Sequence, residues 1–375
     1  MIVKSAYVHI PFCRAKCFYC DFNSYPGREN LFKDYVTALI LEINHAEPVE
    51  AELDSVYFGG GTPTILPPDA LASVLDAINS RFGISGSAEV TVEANPGTVD
   101  ASSISELCKA GFNRLSIGVQ SFNDDILERI GRIHTTSEAR SAIMQGRDAG
   151  FSNISIDLMY ALPDQTIEDW QNTLDAALEI SPEHISLYEL TVEEGTVFGN
   201  LRRKCQINLP DEDLQIEMYT LAINSLTNAG YEHYEVSNFA KPGYRSRHNQ
   251  VYWRNEPYFG FGAGASGYIG GTRYTNISSP DFYIERLLAG ESVVESSETV
   301  TGRQSMGETV MLGLRMLDGL DLDAFEERYG VSLFDVYRKE VTEFTTKGLL
   351  EVADSRLRLT SKGLFLANTV AASFL

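Results

Sequence analysis

No apolar run in this chain of 375 residues approaches the ~18–20 residues that a membrane-spanning helix requires. No transmembrane segment is therefore expected. The first residues, MIVKSAYVHIPFCRAKC, lack the pattern of a secretory leader, because cysteines follow at once and no small-residue cleavage site appears. Both absences point to a cytoplasmic protein. Positive charge is scarce: 30 Lys and Arg stand against 52 Asp and Glu, a net charge of -22. A field of that sign repels phosphate backbones, so general nucleic-acid binding is disfavoured, although a local basic pocket is not. Cysteine is sparse and odd in number, with five in all. That does not suggest a disulfide framework but a metal site plus two spare thiols. Cys108, within SISELCKAGF, reads as a small buried side chain. Low-complexity segments and fixed repeats of 20–50 residues are absent.

What is present is ordinary for a globular protein, with 43% hydrophobic and 22% charged residues. Strand-like and helix-like segments alternate from the start. SAYVHI, DSVYFGGGT, AEVTVEANP, NRLSIGVQS, NISIDLMYALP and HISLYELT read as strands, with helical spacing between them. Such alternation predicts an α/β fold with parallel strands and helices outside. Six units are too few for a closed eight-fold barrel, so a partial, open (β/α)6 TIM-like barrel is expected over residues 1–230. Residues 231–300 are rich in aromatics and glycine and read as an ordered connecting region. Residues 301–375 read as helices followed by a short hairpin, a smaller C-terminal domain of winged-helix type. With 9 basic and 11 acidic residues in that last stretch, packing or docking is a better reading than DNA binding.

Cys13, Cys17 and Cys20 form a CxxxCxxC array. Thiolates are soft donors that suit iron–sulfur clusters and zinc. A structural zinc site closes on four ligands, and no fourth Cys or His follows within the next twenty residues. Three thiolates can instead hold three irons of a [4Fe–4S] cluster and leave one iron open. Zinc with a distant fourth ligand is the alternative, and a chance cluster of free thiols is another. Gly59-Gly60-Gly61-Thr62 follows the second strand. Consecutive glycines let a backbone approach a ligand without Cβ interference. Glu93, Gln120 and Asp157 lie in or at the ends of the third, fourth and fifth strands, and Arg132 lies in the following GRIH segment. Polar or glycine-rich groups on successive strands converge on one barrel mouth, where such folds place their sites.

The cysteine array and its surroundings resemble the radical S-adenosylmethionine superfamily. YVHIPFC, YCDFNSY, FGGGTPT, VEANPGT, RLSIGVQSFND, GRIH and IDLMYALPDQT narrow the likeness to the oxygen-independent coproporphyrinogen III oxidase (HemN-like) family, and most to its HemW branch. The resemblance implies a radical S-adenosylmethionine barrel with a [4Fe–4S] cluster on Cys13, Cys17 and Cys20. It implies an open iron chelated by the amino and carboxylate groups of S-adenosylmethionine. One electron from the cluster then cleaves the sulfonium to a 5′-deoxyadenosyl radical, so an electron donor is implied as well. It also implies that Gly60, Gly61, Thr62, Glu93, Gln120, Arg132 and Asp157 line the S-adenosylmethionine site, with Glu93 on the ribose hydroxyls. Tyr7 and Tyr19 would contact the nucleoside or the cluster. His9 would stand behind them or serve the barrel floor.

Two features separate the branches. The oxidases have a longer N-terminal extension and a further cysteine two positions after the third, where this chain has Phe22. The HemW branch carries HNxxYW, present as His248-Asn249-Gln250-Val251-Tyr252-Trp253. Its members bind heme, pass it to acceptor proteins and lack the decarboxylase activity. The resemblance thus implies a heme chaperone with a heme-accepting partner; the oxidase activity is the alternative, and cleavage of S-adenosylmethionine is left open. Imidazole is a common axial ligand of heme iron, so His248 is a candidate heme ligand. A histidine before an aromatic pair also suits the seam between two domains. Within LMYALPDQT, Ala161 stands where the family more often has glycine. Gly262 to Gly267 matches GxGxxG, yet the following YIGGTRYT reads as a strand, which argues against a dinucleotide site.

Overall fold

The computed structural model describes residues 2–375. Its centre is a nine-stranded sheet built from β1 (Ser5–Ile10), β2 (Leu53–Gly60), β3 (Ile84–Ala94), β4 (Arg114–Gln120), β5 (Ile154–Tyr160), β6 (His184–Glu189), β7 (Glu232–Glu235), β8 (Asn238–Ala240) and β9 (Phe259–Phe261). The order across the sheet is β9-β1-β2-β3-β4-β5-β6-β8-β7. The first six strands are parallel and lie in chain order. Helices α1 (Phe32–His45), α2 (Pro68–Phe82), α3 (Ala101–Lys109), α4 (Asp124–Arg129), α5 (Thr136–Asp148) and α6 (Ile167–Ile180) connect them. The two edge strands, β9 and β7, are not paired with each other, so among the described residues the sheet stays open. An open, partial barrel is thus the architecture, as the strand count implies.

Alternation along the strands explains both layers. Leu115, Ile117 and Val119 of β4 are fully buried in the main core, and each contributes roughly 1.5–3 kcal/mol of burial. The residues between them, Arg114, Ser116 and Gly118, face the other way, into the barrel. The same phase puts Tyr7, Tyr57, Glu93, Asp157 and Tyr188 on the inner face. The barrel interior is therefore a polar column, while the outer faces of the strands are apolar and covered by helices.

The region 231–300 does more than connect. β7 and β8 add an antiparallel hairpin beside β6, and β9 adds a parallel strand beside β1. Strands of three or four residues are too short to show a period in the sequence. The main core accordingly runs from Val3 to Val293, and a separate core gathers residues between Val310 and Phe374. The C-terminal part holds helices Gly302–Gly313, Leu322–Tyr329 and Leu333–Thr346 and a small antiparallel sheet that includes the hairpin Leu350–Ala353/Arg356–Leu359. Cys108 is half-buried rather than buried. Among the described residues no helix is long and apolar enough to cross a membrane.

Ala161, just after β5, has φ +59°. That is the left-handed region, where a Cβ costs roughly 1–2 kcal/mol, which explains a preference for glycine at this position. Ala161→Gly is expected to raise thermal stability by up to about 1 kcal/mol once the entropy of glycine is set against the relieved strain. An unchanged or lower unfolding midpoint would contradict this account of the position.

Candidate functional site

The cysteine loop leaves β1 and is tied at both ends. Phe12–Cys13 pairs in parallel with Tyr25–Pro26, and the Tyr25 amide donates to Pro11 O at 2.7 Å. Within the loop, the Cys20 amide donates to Cys17 O at 3.2 Å. Cys13 is buried, whereas Cys17 and Cys20 are half-buried. All three line a cavity of about 330 Å³ at the C-terminal ends of the strands. Burial pushes the Cys13 and Cys20 thiols up.

Of the residues expected at the site, the cavity wall includes Cys13, Cys17, Tyr19, Cys20, Gly60, Gly61, Thr62, Glu93, Gln120, Arg132 and Asp157. They come from five strands and their following loops, as the sequence implies. Gln120 reaches the cavity through a break in register between β4 and β5 and a φ of +67°. Bulges of this kind re-aim a side chain, and strained backbone of this kind clusters at functional sites.

The glycines are packed by the site itself. A Cβ on Gly61 would lie 2.5 Å from Phe12 O and 2.9 Å from Cys13 Sγ. Gly60 has φ +116°, and a Cβ there would meet the His9 ring at 2.7 Å. His9 therefore sits directly behind the glycine loop, with Nε2 at 2.9 Å from Asn23 O and Nδ1 at 3.0 Å from Tyr7 OH.

One residue at the centre of the site escapes the sequence reading. Asn95 Nδ2 donates to Thr62 Oγ1 at 2.7 Å, and Asn95 Oδ1 accepts from Arg132 Nη2 at 2.6 Å. Thr62 Oγ1 lies 3.6 Å from Cys13 Sγ, and Arg132 Nη1 lies 3.5 Å from Cys17 Sγ. Asn95 thus joins two of the three thiols through one neutral and one cationic donor. Its only signal in the sequence is its place two residues after Glu93, beyond the strand.

Two half-buried carboxyls face the cavity. Burial raises Glu93 to about 7, against the Tyr57 hydroxyl that donates to it at 2.6 Å. Burial raises Asp157 to about 6, with Arg114 opposing. Both are poised to exchange hydrogen bonds with a polar ligand near neutral pH.

Tyr7 and His248 lie outside the cavity wall. Tyr7 stands lower in the barrel, its ring stacked on Tyr57 at 6.2 Å. His248 is 1% exposed and both its nitrogens are engaged: Nδ1 lies 2.9 Å from Ser55 Oγ and Nε2 lies 2.8 Å from Tyr252 OH. Burial lowers its pKa to about 3, so the ring is neutral. In this geometry it offers no free nitrogen to a heme iron. Trp253, at the other end of the motif, packs under Arg315 of the C-terminal region at 4.4 Å.

No three His, Cys, Asp or Glu side chains among the described residues gather around a point that one metal ion could fill. A cuboidal cluster needs thiols spread around a larger body. Three thiols on one loop, a glycine backbone against Cys13, and a half-buried Arg132 whose buried Nε has no partner fit the cluster. A larger cavity, about 740 Å³, lies between the end of α1 and β9. It holds no cysteine, and its charged wall groups are Glu42, Glu47, Glu50 and Glu291, without Lys or Arg. That wall does not suit a ligand bearing carboxylates.

Residues 7–177 match the family model of the radical SAM superfamily, and residues 300–366 match that of the HemN C-terminal domain. The chain is 41% identical over 376 residues to the heme chaperone HemW of Bacillus subtilis (strain 168), covering 100% of this chain and 99% of the relative. It is 36% identical over 383 residues to the heme chaperone HemW of Escherichia coli (strain K12), covering 99% and 98%. Among solved structures, coproporphyrinogen III oxidase (HemN) from Escherichia coli, a radical SAM enzyme, superposes with a TM-score of 0.86 at 25% identity. That likeness covers 100% of this chain and 90% of the other.

Proposed function

Because the chain belongs to the HemW family within the radical SAM superfamily, we propose that it is a heme chaperone, binding heme and handing it to an acceptor protein. The full-length likeness to heme chaperones, on a chain whose three cysteines line one cavity, carries this reading. Cys13, Cys17 and Cys20 hold a [4Fe–4S] cluster. Gly60, Gly61, Thr62, Glu93, Gln120, Arg132 and Asp157 form the adjoining S-adenosylmethionine site. When bound, the cluster supplies one-electron chemistry toward the sulfonium. The chain's own residues orient and shield. Gly60 and Gly61 bring backbone against the ligand, Glu93 accepts from ribose hydroxyls, and Thr62 and Arg132 stabilise the thiolates of Cys13 and Cys17. Such outer contacts tune a cluster as strongly as its ligands do. An electron donor and a heme-accepting protein complete the system, and a sparse, odd set of cysteines supports a reducing compartment.

Oxidative decarboxylation of porphyrinogen propionates is the second reading, favoured by the structural likeness to HemN. Phe22 weighs against it. It stands on the cavity rim, 64% exposed, where the oxidases carry a further cysteine. Heme titrated into the cluster-loaded chain is expected to give a stable Soret band and then move to an apo acceptor. Absence of a saturable band would remove the chaperone reading.

A further inference from the structure

The HNxxYW segment is built into the floor of the same barrel. Its helix, α7 (Arg247–Trp253), begins at a carboxylate of β3. Glu89 accepts from the Arg247 amide at 3.0 Å and from the His248 amide at 3.0 Å. An acidic group at a helix N-terminus satisfies the orphan amides and favours the dipole. This fixes His248 beneath the polar column. Ser55 Oγ donates to Ser5 Oγ at 2.9 Å, so it accepts from His248 Nδ1–H, and Nε2 accepts from Tyr252 O–H.

Tyr57 stands two residues above Ser55 on the inner face of β2. Its ring stacks on His248 at 5.1 Å and 25°, and Tyr7 covers it at 6.2 Å and 26°. Tyr7 and His248 also lie 6.5 Å from each other, so the three rings form one triangular cluster that restrains Tyr57. Its hydroxyl is thereby aimed at Glu93 Oε1, 2.6 Å away. Glu93 lies on the cavity wall, whereas His248 does not.

We infer that His248 is a positioning residue for Glu93, acting through the Tyr57 ring, and that HNxxYW supports the S-adenosylmethionine site rather than ligating heme. The inference rests on the reading that Glu93 contacts S-adenosylmethionine. Ligation of heme by His248 would require Nε2 to leave Tyr252 and α7 to lift from Glu89. Removing the imidazole instead leaves a gap under Tyr57. The hydroxyl then loses its fixed direction, and Glu93 loses the donor that orients it toward the ligand.

The test uses the cluster-loaded full chain, with S-adenosylmethionine and hemin as probes and iron per chain as a control. Tyr57→Phe is expected to weaken S-adenosylmethionine about tenfold, as for one lost hydrogen bond to a charged group. His248→Ala is expected to do the same, with heme affinity and iron content unchanged. The double variant should be no weaker than either single one, because the two substitutions break one linkage. If His248→Ala loses its cluster, His248→Asn, which keeps a donor toward Ser55, is read in its place. Multiplying effects in the double variant would overturn the inference. So would an unchanged S-adenosylmethionine affinity in His248→Ala beside losses in Tyr57→Phe and Glu93→Gln, which leaves the site reading intact. An unchanged affinity in Glu93→Gln would overturn the site reading and the inference together.

Discussion

Alanine at any one of Cys13, Cys17 or Cys20 will strip the anaerobically reconstituted chain of its iron, from about four per chain toward none. The loop leaves no substitute donor. Cys108 sits in α3 and Cys205 is exposed, and neither lines the cavity. The parallel pairing of Phe12–Cys13 with Tyr25–Pro26 holds the loop ends, so a lost thiol cannot be replaced by sliding the next residue into place. The paired controls Cys108→Ala and Cys205→Ala should keep all the iron. Iron and sulfide analysis of the five variants decides the matter. A full cluster in all three loop variants would sink the assignment.

The affinity for S-adenosylmethionine will fall on acidification, by about tenfold per pH unit once Glu93 protonates. The sign follows from the acceptor role. A ribose hydroxyl bonds more strongly to the ionised carboxylate than to the neutral acid, and Glu93 carries its proton below about 7 because of burial. Asp157 joins below about 6, so the slope steepens there. Arg114 lowers both carboxyls. Glu93→Gln should weaken binding at pH 8 and remove the upper step of the profile. Stability without ligand moves the opposite way with pH. An acid whose folded pKa is raised favours folding below its unfolded value and loses that advantage as pH rises through the folded one. For Glu93 that window runs from the ordinary 4.5 to about 7. Filling the site should therefore stabilise the chain most above neutrality. A flat binding profile between pH 5 and pH 8 would contradict the role given to Glu93.

Much of the site was legible because parallel strands announce themselves. Leu115, Ile117 and Val119 mark β4 as buried, and a residue at the end of such a strand lies at the barrel mouth. Glu93 and Gln120 could be found that way, Asp157 by its inward phase within β5, and the cysteines by their spacing. Position along the barrel axis was not legible. Tyr7 and Tyr57 are partners in register and share the inner face with Glu93, yet they lie below the cavity. Nothing local in HNxxYW says that its histidine points into a barrel floor, because the contacts that fix it there, beyond Tyr252 of the motif, come from Ser55 and Glu89, more than 150 residues away in the chain. Asn95 was missed for the converse reason: a polar residue after a strand usually meets water, and only the fold brings Thr62 and Arg132 to it. The short strands β7, β8 and β9 carry too few residues to show alternation, so the sheet extends beyond residue 230, where the expected barrel ends.

The most direct measurement places both activities on one preparation. The cluster-loaded chain, with S-adenosylmethionine and a one-electron reductant, is given heme with an apo acceptor in one vessel and coproporphyrinogen in another. A heme chaperone delivers heme to the acceptor and leaves coproporphyrinogen unchanged. Steady conversion of coproporphyrinogen to protoporphyrinogen, without heme delivery, would contradict the assignment.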